Sequence, residues 1–274
     1  MLERSIPDTF DPATVSAIDA RLAGIRASEG VHIPLAIESG SRAWGFPSPD
    51  SDYDCRFVYV RTAEQLITPW PWRDVIETPL EGDLDVNGWD LAKALKLMLK
   101  GNAVIIEWLR SPIAYGIEAQ FREGFLALAE RAVAPTLIIR HYLHLGLRQR
   151  RVDFGGDKVK IKRLFYTLRP AAALRWMRLH PGRAIVPMHF PTLMAECEPP
   201  AGLAAIVDEL LARKAVTREL GSSRVPAEVL AFIDAEFERI QDSTDLSSVR
   251  VSDEIREEAV AFFRETTRRL DAGA

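Results

Sequence analysis

What most limits the folds open to this chain is a change of texture near residue 118. Before it, short β-branched or alternating runs are interspersed with helical stretches; after it, strand signals nearly vanish and long amphipathic runs take over. In the first part, "DPATVSAIDARLAGIRAS" begins with Asp11 and Pro12 at N-cap and N1 positions and spaces Val15, Ile18, Leu22 and Ile25 at helical intervals. "VHIPLAIES" and "CRFVYVRT" read as strands, with Pro34 marking an edge or a strand start. "DVIETPL" and "LDVNGWD", separated by "EGD", predict a hairpin; Asp90 then caps a helix that stops at Gly101, and "NAVIIEWLRSP" is a short helix ending before Pro112. Beyond the change, helices are expected over roughly 118–131, 135–154, 157–179, 200–220, 226–242 and 252–271, with the proline-rich "RAIVPMHFPTLMAECEPP" as an interruption. The pattern specifies an α+β chain: a mixed lobe with a small sheet over 1–117, then an all-helical lobe over 118–274.

With 274 residues the chain has enough length for two packed lobes. No run approaches the roughly 20 apolar residues that span a bilayer, and the N-terminus has no apolar signal region, so a cytoplasmic protein without a membrane partner is expected. Cys55 and Cys197, far apart and outside any C-x-x-C spacing, offer neither a disulfide framework nor a zinc site. Charge is unevenly distributed. Residues 1–117 hold 11 basic against 17 acidic residues, whereas Arg140 to Arg183 holds 12 basic residues and, as acids, Asp153 and Asp157.

The stretch "ESGSRAWGFPSPDSDYDCRFVYV" carries the chemistry. Side chains at i and i+2 of a strand share a face, so Asp52 and Asp54 would point together and repel. A shared divalent cation removes that cost, since oxygen ligands suit Mg²⁺, which takes one or two carboxylates plus substrate phosphates. Taken alone, D-x-D reads more readily as a solvated acidic turn. Here it has company. Gly40 and Ser41 follow a strand and open a short helix, where backbone N–H groups and a hydroxyl can cradle phosphate. Asp85 in "LDVNGWD" supplies a third carboxylate at a strand position, whereas Asp83 lies beside Gly82 in the turn.

This order of G-S, then D-x-D entering a strand, then a distal strand Asp resembles the nucleotidyltransferase superfamily of DNA polymerase beta. "GWDLAKALKLMLKGNAVIIEWLRSPIAY" and "KVKIKRLFYTLRPAAALRWM" are similar to its branch of predicted RNA-ligase-associated nucleotidyltransferases, and the likeness covers roughly residues 30 to 180. The resemblance implies a nucleotidyltransferase catalytic domain over 1–117 and a helical substrate-binding domain over 118–274. It further implies that Gly40 and Ser41 hold phosphate, that Asp52 and Asp54 bind two Mg²⁺ ions (or Mn²⁺), and that Asp85 binds the catalytic one and helps activate an acceptor hydroxyl.

In the basic segment, cations interleave with Tyr142, Phe154, Phe165, Tyr166 and Trp176, a surface suited to a triphosphate or a nucleic-acid backbone. Lys160, Lys162 and Arg169, just beyond the catalytic lobe, are the candidates for phosphate contact. Any single one of them reads as well as a solvated helix face with snorkelling stems. His141 and His144 lack a third ligand and read as ordinary polar residues. The expected activity is transfer of an NMP from an NTP, with ATP as donor, to an acceptor hydroxyl, with an RNA end favoured over a small molecule or a protein side chain. The alternative is a catalytically silent nucleotide-binding module acting through a protein partner.

Overall fold

The computed structural model describes residues 2–154, 159–216, 222–243 and 250–272. In chain order, β1 (Glu3–Ser5), α1 (Pro12–Glu29), β2 (His32–Glu38), α2 (Gly40–Ala43), β3 (Tyr53–Val60) and α3 (Ala63–Leu66) precede the hairpin of β4 (Val75–Glu77) and β5 (Leu84–Asp90). Then come α4 (Leu91–Leu99), α5 (Ala103–Arg110), β6 (Ala114–Ile117), α6 (Ala119–Ala132) and α7 (Pro135–Asp153). The remainder comprises β7 (Val159–Lys160), α8 (Ile161–Leu179), α9 (Phe190–Glu196), α10 (Leu203–Val216), β8 (Ser222–Ser223), α11 (Ala227–Ser243) and α12 (Asp253–Ala272). The fold is α+β, a small mixed sheet followed by a helical portion.

The main sheet has the order β1-β6-β2-β3-β5-β4, antiparallel throughout except for the parallel pair β3 and β5. Alternation along β3 divides its two faces. Phe57 and Tyr59 join Ile18, Leu22 and Ile25 of α1, while Val58 and Val60 join a larger core with Leu95, Phe125 and Phe165. That second core draws on residues from both sides of position 117, so the sheet and the helices pack as one apolar body there.

Local chemistry explains where elements begin. Asp11 accepts from the N–H groups of Ala13 and Thr14 at 3.3 and 3.0 Å, Asp90 from Ala92 at 2.7 Å and Asn102 from Val104 at 2.8 Å, satisfying orphan donors at three helix starts. Pro34 stands in an interior strand. It sits near the start of β2, where the register with β3 shifts between His32 and Leu35, so its missing N–H interrupts no regular ladder.

Several short elements escaped the pattern, β1, α3, β6, α9 and the β7–β8 pair among them. β6 is four residues including Ala and Gly, yet it pairs with both β1 and β2. α9 lies inside the proline-rich interruption, started by Pro191. α8 begins at Ile161 because Val159 and Lys160 pair instead with Ser223 and Ser222; residues 157–158 and 217–220 of the expected helices lie outside the described residues. None of the described helices is long and apolar enough to cross a membrane.

Phe46, in the loop after α2, stacks on Phe165 of α8 at 5.2 Å and meets Phe190 of α9 edge-on at 5.6 Å. Burying a phenylalanine is worth about 2–3 kcal/mol. This cluster ties the Gly40–Asp52 loop to the helical portion and so fixes one wall of the site below.

Candidate active site

Topology brings the acidic residues to one edge. β2 and β3 are antiparallel, so the end of β2, with Gly40 and Ser41 just beyond, lies beside the start of β3. β3 and β5 are parallel, so their starts coincide, and Asp54 faces Asp85 directly in register. Asp54 and Asp85 share the face of Val58 and Val60 and therefore look toward the helical portion.

The two carboxylates are not left to repel. Arg56, two residues after Asp54 on the same face, places Nη2 at 3.0 Å from Asp54 Oδ1 and 2.6 Å from Asp85 Oδ2, while its Nη1 donates to the Asp85 carbonyl at 3.0 Å. Asn87, the corresponding neighbour on β5, donates its amide to the other oxygen of Asp85. Burial pushes the Asp54 carboxyl up, Arg56 pulls it down, and Asp85 and Asp52 push it up again; the net displacement is upward. Asp52 lies just before β3, exposed, with Lys162 Nζ of α8 at 4.0 Å from its Oδ2.

Gly40 is required where it stands. Its φ is +61°, and a Cβ there would collide with Asp54 Oδ2. The Ser39 N–H donates to the Asp54 carbonyl at 2.9 Å, so α2 starts directly against that carboxylate. Ser41 is buried with its hydroxyl on Ser51 Oγ at 3.0 Å, turned into the loop. Lys160 is exposed at the start of α8 and Lys162 faces Asp52, but Arg169 is elsewhere. It is 4% exposed, 2.9 Å from Glu107 Oε1, with its guanidinium 4.6 Å from the Trp44 ring. Tyr142 and Trp44 donate to the same Glu107 carboxylate. Lys158 lies outside the described residues.

Sequence reasoning passed over four residues at this edge and named a fifth, Tyr166, among the aromatics of the basic segment without linking it to Asp54. Arg56 was one, although its i+2 spacing from Asp54 placed it on the acidic face. Arg42 donates to the carbonyls of Ser51 and Asp52 at 2.7 and 3.1 Å and lies 3.8 Å over the Tyr53 ring, which holds the loop that delivers Asp52. Lys214 of α10 is buried, donates to the Phe46 carbonyl, and has its pKa lowered to about 8 by burial and the nearby Lys162. Tyr166 is pushed up to about 12 by burial and the charge of Asp54. Glu38 is fully buried at the end of β2. It accepts from the Asp54 N–H at 2.9 Å and the Tyr115 hydroxyl at 2.5 Å, and burial raises its pKa to about 7.

Among the described residues, no three carboxylate, imidazole or thiol side chains form a ready-made metal shell. Arg56 stands as the cation between Asp54 and Asp85, and Asp52 faces Lys162 instead. The donor set nevertheless fits a hard divalent ion: three carboxylates at one edge, oxygen atoms as donors, and a charge deficit that a guanidinium now fills.

A family model described as the RNA repair pathway DNA polymerase beta family matches residues 15–264. The chain belongs to that family. It is also similar to the uncharacterized protein YcgL of Bacillus subtilis (strain 168), 41% identical over 219 residues that cover 80% of this chain and 84% of the relative. Family membership puts the chain in a DNA polymerase beta-like, nucleotidyltransferase setting linked to RNA repair.

Proposed function

We propose that this chain transfers an NMP from an NTP, with ATP as donor, to an acceptor hydroxyl on RNA, using two Mg²⁺ ions that Mn²⁺ can replace. The observation that carries the reading is the register of Asp54 against Asp85 on parallel strands, with the Gly40 turn pressed against Asp54 and Lys162 facing Asp52. Asp52 and Asp54 would hold both ions and Asp85 the one nearer the acceptor. Bound there, the ions lower the pKa of the acceptor hydroxyl and neutralise the departing pyrophosphate.

The chain's own residues do the rest. Gly40 lets backbone N–H groups approach a phosphate, and Ser41 can turn its hydroxyl from Ser51 to the same oxygen. Lys162, with Lys160 beside it, neutralises the triphosphate. Arg169 acts through Trp44 and Glu107, fixing the wall behind the nucleotide rather than touching it. Asp85 receives the proton of the acceptor hydroxyl as the new O–P bond forms and the bond to pyrophosphate breaks. Arg56 keeps Asp54 and Asp85 aligned until substrate arrives.

The same Arg56 clamp favours a second reading, a module that holds a nucleotide without turning it over and acts through a protein partner. The two are separated by incubating the protein with α-labelled ATP, Mg²⁺ and RNA bearing free terminal hydroxyls, beside Asp54→Asn and Asp85→Asn. Label on RNA from the wild type, at least ~100-fold reduced in both variants, supports transfer. Nucleotide binding without any label transferred supports the silent module.

A further inference from the structure

A second basic surface lies away from the acidic edge, along α7. A groove of about 400 Å³ opens in the seam between the end of α4 and α7, lined among others by Lys100, Arg140, His144 and Arg148. It shares His144 and Arg148 with a second hollow of about 610 Å³ that runs on past Arg151 to Phe154. Arg140, His144, Arg148 and Arg151 follow one another at four- and three-residue intervals and so form a single stripe on one face of α7. Among the described residues, no carboxylate lines either hollow.

A run of cations on a helix is usually a solvated face, and three features separate this one from that. It is concave, with Leu97, Leu137 and Leu145 lining it below the charges. The α4–α5 turn can seat against Leu137 because Gly101 has no side chain there. Its charges are also uncompensated: Arg150 pairs with Asp234 at 2.8 Å, but among the described residues Lys100, Arg140, Arg148 and Arg151 have no ion-pair partner.

We infer that this groove binds the sugar-phosphate backbone of a single-stranded nucleic acid and leads its end to the acidic edge. Arg140 and Arg148 lie about 12 Å apart along the axis of α7, with His144 midway and Arg151 about 4.5 Å further on, a spread over which one strand can set successive phosphates. Phe154, half-buried under the Arg150 guanidinium at 4.8 Å, is an aromatic surface for a base at the groove's far end. From that end the path to the acidic edge is short. Asp153 lies 3.7 Å from Arg163, the neighbour of Lys162, and Lys162 faces Asp52. Binding in the groove stands on its own; its use as the path of an acceptor rests on the nucleotidyl-transfer reading.

The test is fluorescence anisotropy of a labelled single-stranded RNA with the full chain, at salt from 50 to 200 mM. Four phosphate contacts at a slope of about 0.7 each predict an affinity loss of about 50-fold over that range. Arg148→Gln with Arg151→Gln, and separately Lys100→Gln with Arg140→Gln, should each bind at least ~10-fold more weakly at 50 mM and lose about 7-fold over the same range. Arg264→Gln with Arg268→Gln, an equal charge change on exposed positions of α12, should bind like the wild type. A DNA strand of the same sequence identifies the source: equal affinity marks a groove that reads backbone alone, and RNA preference marks contact with the 2′-hydroxyl. The inference is overturned if wild-type protein binds neither strand, if both groove variants keep wild-type affinity and slope, or if the α12 variant weakens binding as much as they do. Strand binding that survives in Asp54→Asn, with no transfer by any form of the protein, refutes the transfer reading and leaves the groove standing.

Discussion

Glu38 should make the stability of this protein fall between pH 5 and pH 8, and Glu38→Gln should remove that fall. Its carboxyl is pushed up from 4.5 to about 7, burial outweighing the hydrogen bonds from Tyr115 and the Asp54 N–H. Below pH 4.5 the group is neutral in both states and costs nothing. As pH rises the unfolded chain releases the proton first while the folded chain retains it, so stability drops at up to about 1.4 kcal/mol per pH unit until the folded group titrates near 7. Integrated from pH 5 to 8, the loss is about 2.5 kcal/mol.

Glutamine keeps the shape and an acceptor for the Asp54 N–H, but it has no proton to trade. Whatever it loses at Tyr115 is independent of pH. The stability of wild type minus variant should therefore fall by about 2.5 kcal/mol from pH 5 to pH 8, because the contributions of other titrating groups largely cancel in the difference. Denaturant unfolding at four pH values measures it, followed by far-UV circular dichroism and tryptophan fluorescence, with coincident transitions validating a single free energy. A difference that stays flat within about 0.5 kcal/mol, or one that rises with pH, would show that Glu38 is ionised in the folded protein throughout and that its burial is compensated.

Arg56→Met leaves Asp54 and Asp85 facing each other without a counter-ion, so its melting temperature in EDTA should fall below wild type and Mg²⁺ should restore more of it than Mg²⁺ adds to wild type; equal Mg²⁺ effects would refute the guanidinium as a stand-in cation. Gly40→Ala forces a side chain into the left-handed region and against Asp54, at a cost of about 1–2 kcal/mol, and nucleotidyl transfer should drop further than that loss of stability explains; denaturation and labelling together read it. Arg169→Met breaks a buried ion pair with Glu107 and should destabilise by about 3–5 kcal/mol while leaving the KM for NTP nearly unchanged at temperatures where the variant is folded; a large rise in KM would return Arg169 to direct phosphate contact.

The acidic edge was legible because its signals are local. D-x-D at a strand entrance and a later aspartate inside a β-run each follow from period-two geometry, and parallel pairing of β3 and β5 brings them into register. Asp90 and Asn102 were legible as caps or short-helix starts for the same reason. Arg169 was not, because a cation in a basic run carries no mark of whether it meets solvent or a buried carboxylate; Glu107, its partner, stands on α5, and nothing within either helix links them. Lys214 reaches Phe46 across 168 positions, and β6 is too short and too rich in small residues to stand out before β1 and β2 flank it.

The placement of the carboxylates also explains why the helical portion cannot be a detachable appendage. Asp54 and Asp85 look away from α1 and toward α8, so the sheet alone leaves them against open water with Arg56 as their sole neighbouring cation among the described residues of β3 and β5. α8 closes that space, bringing Lys162 to Asp52 and Tyr166 close enough for the charge of Asp54 to raise its pKa. The same helix packs on α7, whose far face carries the basic groove. A strand held on α7 and a nucleotide held at the sheet edge, as proposed above, would thus be referred to one helix. The register between acceptor and donor is then set by the packing of α8 on Phe46 and Phe190, and trimming Phe165 to alanine should disturb transfer more than it disturbs the binding of either substrate alone.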